Sequence, residues 1–149
     1  MINEMIKKVN LHKKRSKSAL LEIKDWDGLD CEIFEDFEKI KTIDTFIYRF
    51  IKLQDMMGEK LFKIFLDELG EYKDNMSLLD ILDKLEKFKI INNAYDWMEY
   101  RKLRNKLTHE YPNNEQDIID GIYLAMEVFD KIEMILDNII DYKNNKGLK

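Results

Sequence analysis

The chain is poor in the residues that punctuate a backbone: 1 Pro and 5 Gly in 149 residues, with a single cysteine. So little proline and glycine excludes a collagen-like repeat and argues against a turn-dense β-architecture, both of which need those residues to set their backbone angles. Cys31 has no second cysteine to pair with, which leads us to expect a reducing compartment. By itself it reads as an ordinary small side chain near a helix start. No run approaches the roughly 18 consecutive apolar residues of a membrane span. The opening Met1-Ile2-Asn3-Glu4-Met5-Ile6-Lys7-Lys8 also lacks the apolar centre of a secretory signal. A cytoplasmic protein without a membrane partner is therefore expected. Excess positive charge is missing too: the net charge is −5, which argues against broad, non-specific nucleic-acid binding.

Helix-forming material is abundant. Charged residues make up 37% and hydrophobic ones 45% of the chain, a balance suited to an all-α protein and too apolar for disorder. The length fits one domain, 1–149, able to bury a core without staples. Period-3.6 patterning predicts a first helix over about 3–24, with Ile2, Ile6, Val9, Leu20 and Ile23 inward. Asp25-Trp26-Asp27-Gly28 breaks it. A long helical stretch follows over about 32–69, carrying Phe34, Phe37, Ile40, Ile43, Ile47, Phe50 and Leu53, bent or divided at Gly58 and stopped at Gly70. Ser77 reads as the N-cap of a helix over 78–89, with Leu79, Leu82 and Leu85 at core spacing. Asn92-Asn93 opens a helix over about 94–110, which Pro112 ends. Asn113-Asn114 caps a last helix over about 115–142, with Ile118, Ile122, Ala125, Phe129, Ile132 and Leu136 inward, and the tail after about 144 is expected to fray. The connections are short, which favours antiparallel neighbours and an up-and-down four-helix bundle with an additional helix.

The stretch Arg101-Lys102-Leu103-Arg104-Asn105-Lys106-Leu107-Thr108-His109-Glu110-Tyr111-Pro112 carries the chemistry. A fixed cation, a group that titrates near neutrality and a ring with a hydroxyl suit phosphodiester chemistry. On the helix, Tyr100, Leu103 and Leu107 share the core side, while Arg104, Thr108, Arg101, Asn105 and His109 fill an arc facing away from the bundle. Arg104 and His109 diverge by roughly 140° and about 7.5 Å along the axis. One phosphate meets both only if the last turn distorts or if a second copy brings its own set across a twofold axis. RNA cleavage through a 2′-hydroxyl needs both a base and an acid, which two copies of one histidine supply. Arginine would then stabilise charge on phosphorus without a metal, and no His/Cys cluster offers one. Basic runs at Lys7, Lys8, Lys13, Lys14, Arg15 and Lys17, and at Lys102 and Lys106 beside the motif, are local anion-binding candidates. Each residue also has a plainer reading. His109 alone would complement the helix dipole, Arg104 would be a surface ion-pair residue, Tyr111 a core-edge aromatic and His12 plain surface.

At these residues the chain resembles the HEPN superfamily, and within it the HepT-like toxins of HEPN/MNT toxin–antitoxin pairs. That motif is an arginine, usually followed by a polar residue, with a histidine four to six positions beyond the arginine and, in the HepT branch, a tyrosine two after the histidine. Arg104, Asn105, His109 and Tyr111 match it. The likeness extends over about 77–112, through Leu78-Leu79-Asp80, Leu85-Glu86-Lys87, Trp97 and Arg101-Lys102-Leu103. The resemblance implies a bundle dimerising through the motif helices and a metal-independent endoribonuclease that leaves cyclic phosphate ends. Arg104 and His109 would be catalytic, with Asn105, Thr108 and Arg101 supporting. Lys102, Lys106, Lys13, Lys14 and Arg15 would hold RNA. No cofactor is implied for the chain itself. ATP would serve only as the AMP donor of a partner nucleotidyltransferase antitoxin that silences the toxin by modifying Tyr111. The competing expectation is a non-catalytic helical subunit that engages such a nucleotidyltransferase.

Overall fold

The computed structural model describes residues 1–109 and 114–147, the His109 side chain excepted. Every regular element among them is helical: α1 (Ile2–Lys24), a 3₁₀ turn (Cys31–Glu35), α2 (Phe37–Met56), a π turn (Met57–Leu61), α3 (Phe62–Glu68), α4 (Leu78–Lys87), α5 (Ala94–His109) and α6 (Glu115–Lys146). No helix among the described residues is long and apolar enough to cross a membrane.

Local chemistry explains the boundaries. Gly28, with φ 87, takes the left-handed backbone that turns the chain after α1. Asp36 caps α2 by accepting from the Lys39 N–H at 3.2 Å. Ser77 and Asp80 form a reciprocal capping box at the start of α4, with bonds of 3.1 and 3.0 Å. Asn114 caps α6 by accepting from the Asp117 N–H. α6 runs to Lys146, where Gly147 adopts φ 67 and its N–H closes on the Lys143 carbonyl.

α1 and α2 are antiparallel neighbours. Glu22 meets Thr42, the Ser16 hydroxyl donates to the Phe46 carbonyl, and His12 meets Arg49, so that one helix ascends as the other descends. α6 joins them through Lys17–Glu133 at 2.9 Å and through the Phe46–Phe129 edge contact. Ile2, Val9, Leu20, Ile23, Ile43, Phe50, Leu53, Ile122, Ala125, Phe129, Ile132 and Leu136 are buried as expected. Ile6, Phe34, Ile40, Ile47 and Ile118 are half-buried, and two expected core residues are exposed. Phe37 is 69% exposed, because the helix begins there and the preceding 3₁₀ turn breaks the phase from Phe34. Leu79 is 54% exposed, because Ile81, Leu82 and Leu85 carry the inward face of α4. At Gly58 the stretch is divided as expected, by a π turn between α2 and α3.

Candidate functional site

α5 starts from Asn93, whose side-chain oxygen accepts from the Asp96 N–H at 2.8 Å and whose amide donates to the Asp96 carboxylate at 3.2 Å. Glu86 accepts from the Ala94 N–H at 3.0 Å, tying α5 to α4. Trp97, only 1% exposed, anchors the helix against Phe62 (ring centroids 4.7 Å) and Tyr100 (6.0 Å). Leu103 is buried and Leu107 partly so. The π turn meets this anchor at Gly58. A Cβ built there would lie 3.3 Å from the Trp97 Cζ2 and 3.5 Å from its Nε1, so the absence of a side chain is what lets the indole approach the turn.

With α5 so placed, Arg104 reaches α2. Its Nε donates to Asp55 Oδ1 at 2.9 Å and its Nη2 to Oδ2 at 2.7 Å, a bidentate fork in which the side chains are 26% and 28% exposed. Nη1 turns the other way, toward the Asn105 amide oxygen (3.5 Å) and the Thr108 hydroxyl (3.4 Å). Thr108 spends its own proton on the Arg104 carbonyl at 3.0 Å, so its oxygen is left to accept from Nη1. The bond to Asp55 raises the guanidinium above its ordinary pKa, outweighing the opposite effect of burial, and the cation is permanent. Asp55 thus fixes the plane of the guanidinium while Nη1 faces the two polar residues of the motif.

This fork borders a cavity of about 360 Å³ between the end of α2, the start of α4 and α5. Asp55, Gly58 and Glu59 line it from one side and Trp97, Arg101, Arg104 and Asn105 from another. The arc of motif residues is therefore not wholly turned away from the bundle. Arg104 sits about a quarter-turn from Leu103, at the edge of the buried face rather than beyond it, and Asp55 draws it inward.

Gln54 also lines the cavity. It is 2% exposed, and neither its Oε1 nor its Nε2 has a hydrogen-bond partner. A buried polar group left unpaired costs about 1–3 kcal/mol, so an unpaired amide beside a cavity calls for a reason. Its position was readable: Gln54 stands four residues after Phe50 and three before Met57, a polar side chain at core spacing. Asp55 carries no such signal, since its partner lies 49 residues away.

The expected site residues divide into groups. Arg101, Arg104 and Asn105 share the cavity, and Thr108 joins them through Arg104. His109 is the last residue of α5, but its side chain, like Tyr111 and Pro112, lies outside the described residues. Lys102 and Lys106 border a different groove, with Asp117 and Asp120 of α6, and Lys102 pairs with Glu99 at 3.5 Å. Glu99 in turn is held below the usual carboxylate range, chiefly by a hydrogen bond from Tyr95. Lys13 is half-buried and Lys14 exposed on α1. Arg15 lines a groove with Lys41 and Arg49 that shares no residue with the Arg104 cavity.

His12 is not plain surface. It is half-buried, and its Nδ1 lies 3.0 Å from Arg49 Nη1. Arginine can only donate, so Nδ1 accepts and the ring proton sits on Nε2. Burial, then Arg49, Lys52 and Arg15, lower its pKa. Cys31 is free and exposed. Among the described residues no three His, Cys, Asp or Glu side chains come together.

Comparison with protein-family models, with curated proteins and with solved structures finds no match for this chain.

Proposed function

We propose that the chain is a HEPN-type toxin, a metal-independent endoribonuclease that works as a homodimer with Arg104 and His109 as its catalytic pair. The observation that carries this reading is the Arg104 fork. An arginine held by Asp55 at 2.7 and 2.9 Å, with Nη1 left toward Asn105 and Thr108, is a pre-oriented cation beside a cavity. That suits charge developing on a phosphate oxygen, where a fixed donor needs no reorganisation. The motif Arg104-Asn105…His109-Glu110-Tyr111 supports the same reading by its resemblance to HepT-like toxins.

The fold belonging to this reading is a single up-and-down four-helix bundle with an additional helix, its copies meeting through α5. His109 of one copy takes the proton of the ribose 2′-hydroxyl. The freed oxygen attacks the adjacent phosphorus, Arg104 stabilises the pentacoordinate phosphate, and the 5′-oxygen leaves with a proton from the second copy's imidazole. The product is a 2′,3′-cyclic phosphate and a 5′-hydroxyl. A nucleotidyltransferase antitoxin would silence the toxin by transferring AMP from ATP to Tyr111, setting a bulky anion where RNA phosphate must approach.

Expression of the chain should arrest growth and degrade RNA, and His109→Ala and Arg104→Ala should each abolish both while His109→Ala keeps the wild-type circular dichroism. Full RNA cleavage by either variant would refute the assignment. A second reading, a non-catalytic partner subunit of a nucleotidyltransferase, is favoured by the same fork taken as a purely structural ion pair. It predicts a stable complex with that enzyme and no growth arrest from this chain alone.

A further inference from the structure

The groove between α1 and α2 gathers cations that lack acidic partners. It encloses about 450 Å³ and is lined by Arg15, Ser18, Lys41, Thr45 and Arg49, with the small, buried Ala19 between the helices. Its one carboxylate, Glu22, lies at the Thr42 end and takes a hydrogen bond from the Thr42 hydroxyl. Among the described residues neither Arg15 nor Arg49 has a carboxylate partner, and Lys41 has only a loose one, Glu38 at 3.7 Å. Arg49 is nevertheless held in place. Its guanidinium stands over the Tyr48 ring, 5.3 Å from the centroid, and its Nη1 donates to His12 Nδ1 at 3.0 Å. Burial and the cations Arg49, Lys52 and Arg15 lower the pKa of His12, which keeps the ring neutral. A carboxylate aims a guanidinium and offsets its charge, as Asp55 does for Arg104; a neutral imidazole aims it and leaves the charge whole. Like charges set this close repel, so the arrangement costs stability until an anion lies between them.

We propose that this groove binds a compact phosphoryl dianion, as free phosphate or as the end group of a phosphate monoester, between Arg15 and Arg49. The planar fork of each guanidinium matches two phosphoryl oxygens, and the exposed Ser18 and Thr45 hydroxyls are further donors. A group with about two negative charges at pH 7 answers the pair of arginines more fully than a single phosphodiester does. The length of the groove also favours a compact anion. Arg15 and Glu22 are seven residues apart on α1, about 10 Å along its axis, so a strand laid along the groove from the arginines runs onto a carboxylate. His12 is a positioning residue here, acting through Arg49. The groove shares no residue with the Arg104 cavity, so it stands whether or not the chain cleaves RNA.

The test is titration of the full-length protein with inorganic phosphate at pH 7 in about 0.1 M chloride, followed by calorimetry and by the ring-proton signals of His12. Phosphate should bind saturably with a Kd of about 1 mM or lower. Arg15→Gln and Arg49→Gln should each weaken binding at least ten-fold, whereas Lys87→Gln, in the last turn of α4, should change it by less than about two-fold. Bound phosphate should raise the pKa of His12, because it offsets Arg49 and Lys52 of α2 and Arg15 of α1, the cations that face the ring. Ribose 5-phosphate separates the two sources: affinity equal to or above that of phosphate assigns a monoester, and weaker binding assigns free phosphate. No saturable binding of phosphate, equal losses in Lys87→Gln, or an unmoved His12 would overturn the inference. So would an oligodeoxythymidine without terminal phosphates that binds more tightly than phosphate through the same arginines, which would give the groove to a nucleic-acid backbone. Arg15 is exposed on α1, so its variant decides should Arg49→Gln fail to fold.

Discussion

Removing Asp55 isolates the effect of orienting Arg104 without touching its charge. The fork consists of two charge-assisted bonds, at 2.9 and 2.7 Å, and such bonds contribute roughly 1.5–3 kcal/mol each where water is excluded. With the side chains 26% and 28% exposed, solvent screens much of that, and fully exposed pairs give only about 0.2–1 kcal/mol. A coupling of about 1–2 kcal/mol lies between these limits. The assay is a double-mutant cycle with Asp55→Ala, Arg104→Ala and the double variant, each unfolded in urea at pH 7. Asp55→Ala alone should lower the melting temperature by about 3–6 °C for a chain of this size. The coupling should shrink but survive in 1 M salt, because half-buried pairs are screened less than exposed ones. A coupling below about 0.3 kcal/mol would refute the claim that the fork is a real energetic link between α2 and α5. The functional arm is independent of stability. Asp55→Ala retains the cation of Arg104 and loses its aim, so RNA cleavage should fall at least ten-fold under conditions where the variant remains folded. Wild-type cleavage by that variant would remove Asp55 from the mechanism.

Gly58→Ala gains about 1 kcal/mol of helix propensity but drives a Cβ to 3.3 Å from Trp97, which Phe62 and Tyr100 hold in place. We expect a net loss of about 1 kcal/mol in urea unfolding, and a stabilised variant would show that the indole has slack. The lowered pKa of His12 means that the unfolded chain binds a proton more readily than the folded one. Stability should therefore fall as pH drops below about 6.5, levelling once the folded ring has titrated. His12→Gln should remove that part of the slope between pH 8 and 5, and an unchanged slope would contradict the burial beside Arg49. Lys106→Ala should leave RNA cleavage within about two-fold of wild type and Arg101→Ala should reduce it several-fold, because only Arg101 borders the Arg104 cavity. Equal losses in the two variants would argue that both grooves carry RNA.

Local signals in the sequence were reliable where one residue sets the backbone. Ser77, Asn93, Asn114, Gly28 and Gly70 mark their turns and caps because capping and positive φ are chosen within a few residues. Periodicity located most of the core, yet it missed the phase break before Phe37 and the outward turn of Leu79, each decided by what the neighbouring helix leaves to cover. The helical wheel sets Arg104 in the arc facing away from the bundle and gives no hint of Asp55, since pairing across 49 residues depends on how α2 and α5 pack. Likewise Gly58 marked an irregularity, while the π turn and its contact with Trp97 needed the tertiary structure. The sequence groups Arg101, Arg104 and Asn105, and these three share a cavity. Sequence nearness groups Lys102 and Lys106 with them, but the helix carries those two to the α6 side.

The most direct measurement is the end chemistry of RNA incubated with the purified protein in excess EDTA. Mass spectrometry should find 2′,3′-cyclic phosphate and 5′-hydroxyl termini from the wild-type protein and intact RNA from Arg104→Ala. Intact RNA from the wild-type protein, or the same fragments from the Arg104 variant, would contradict the account.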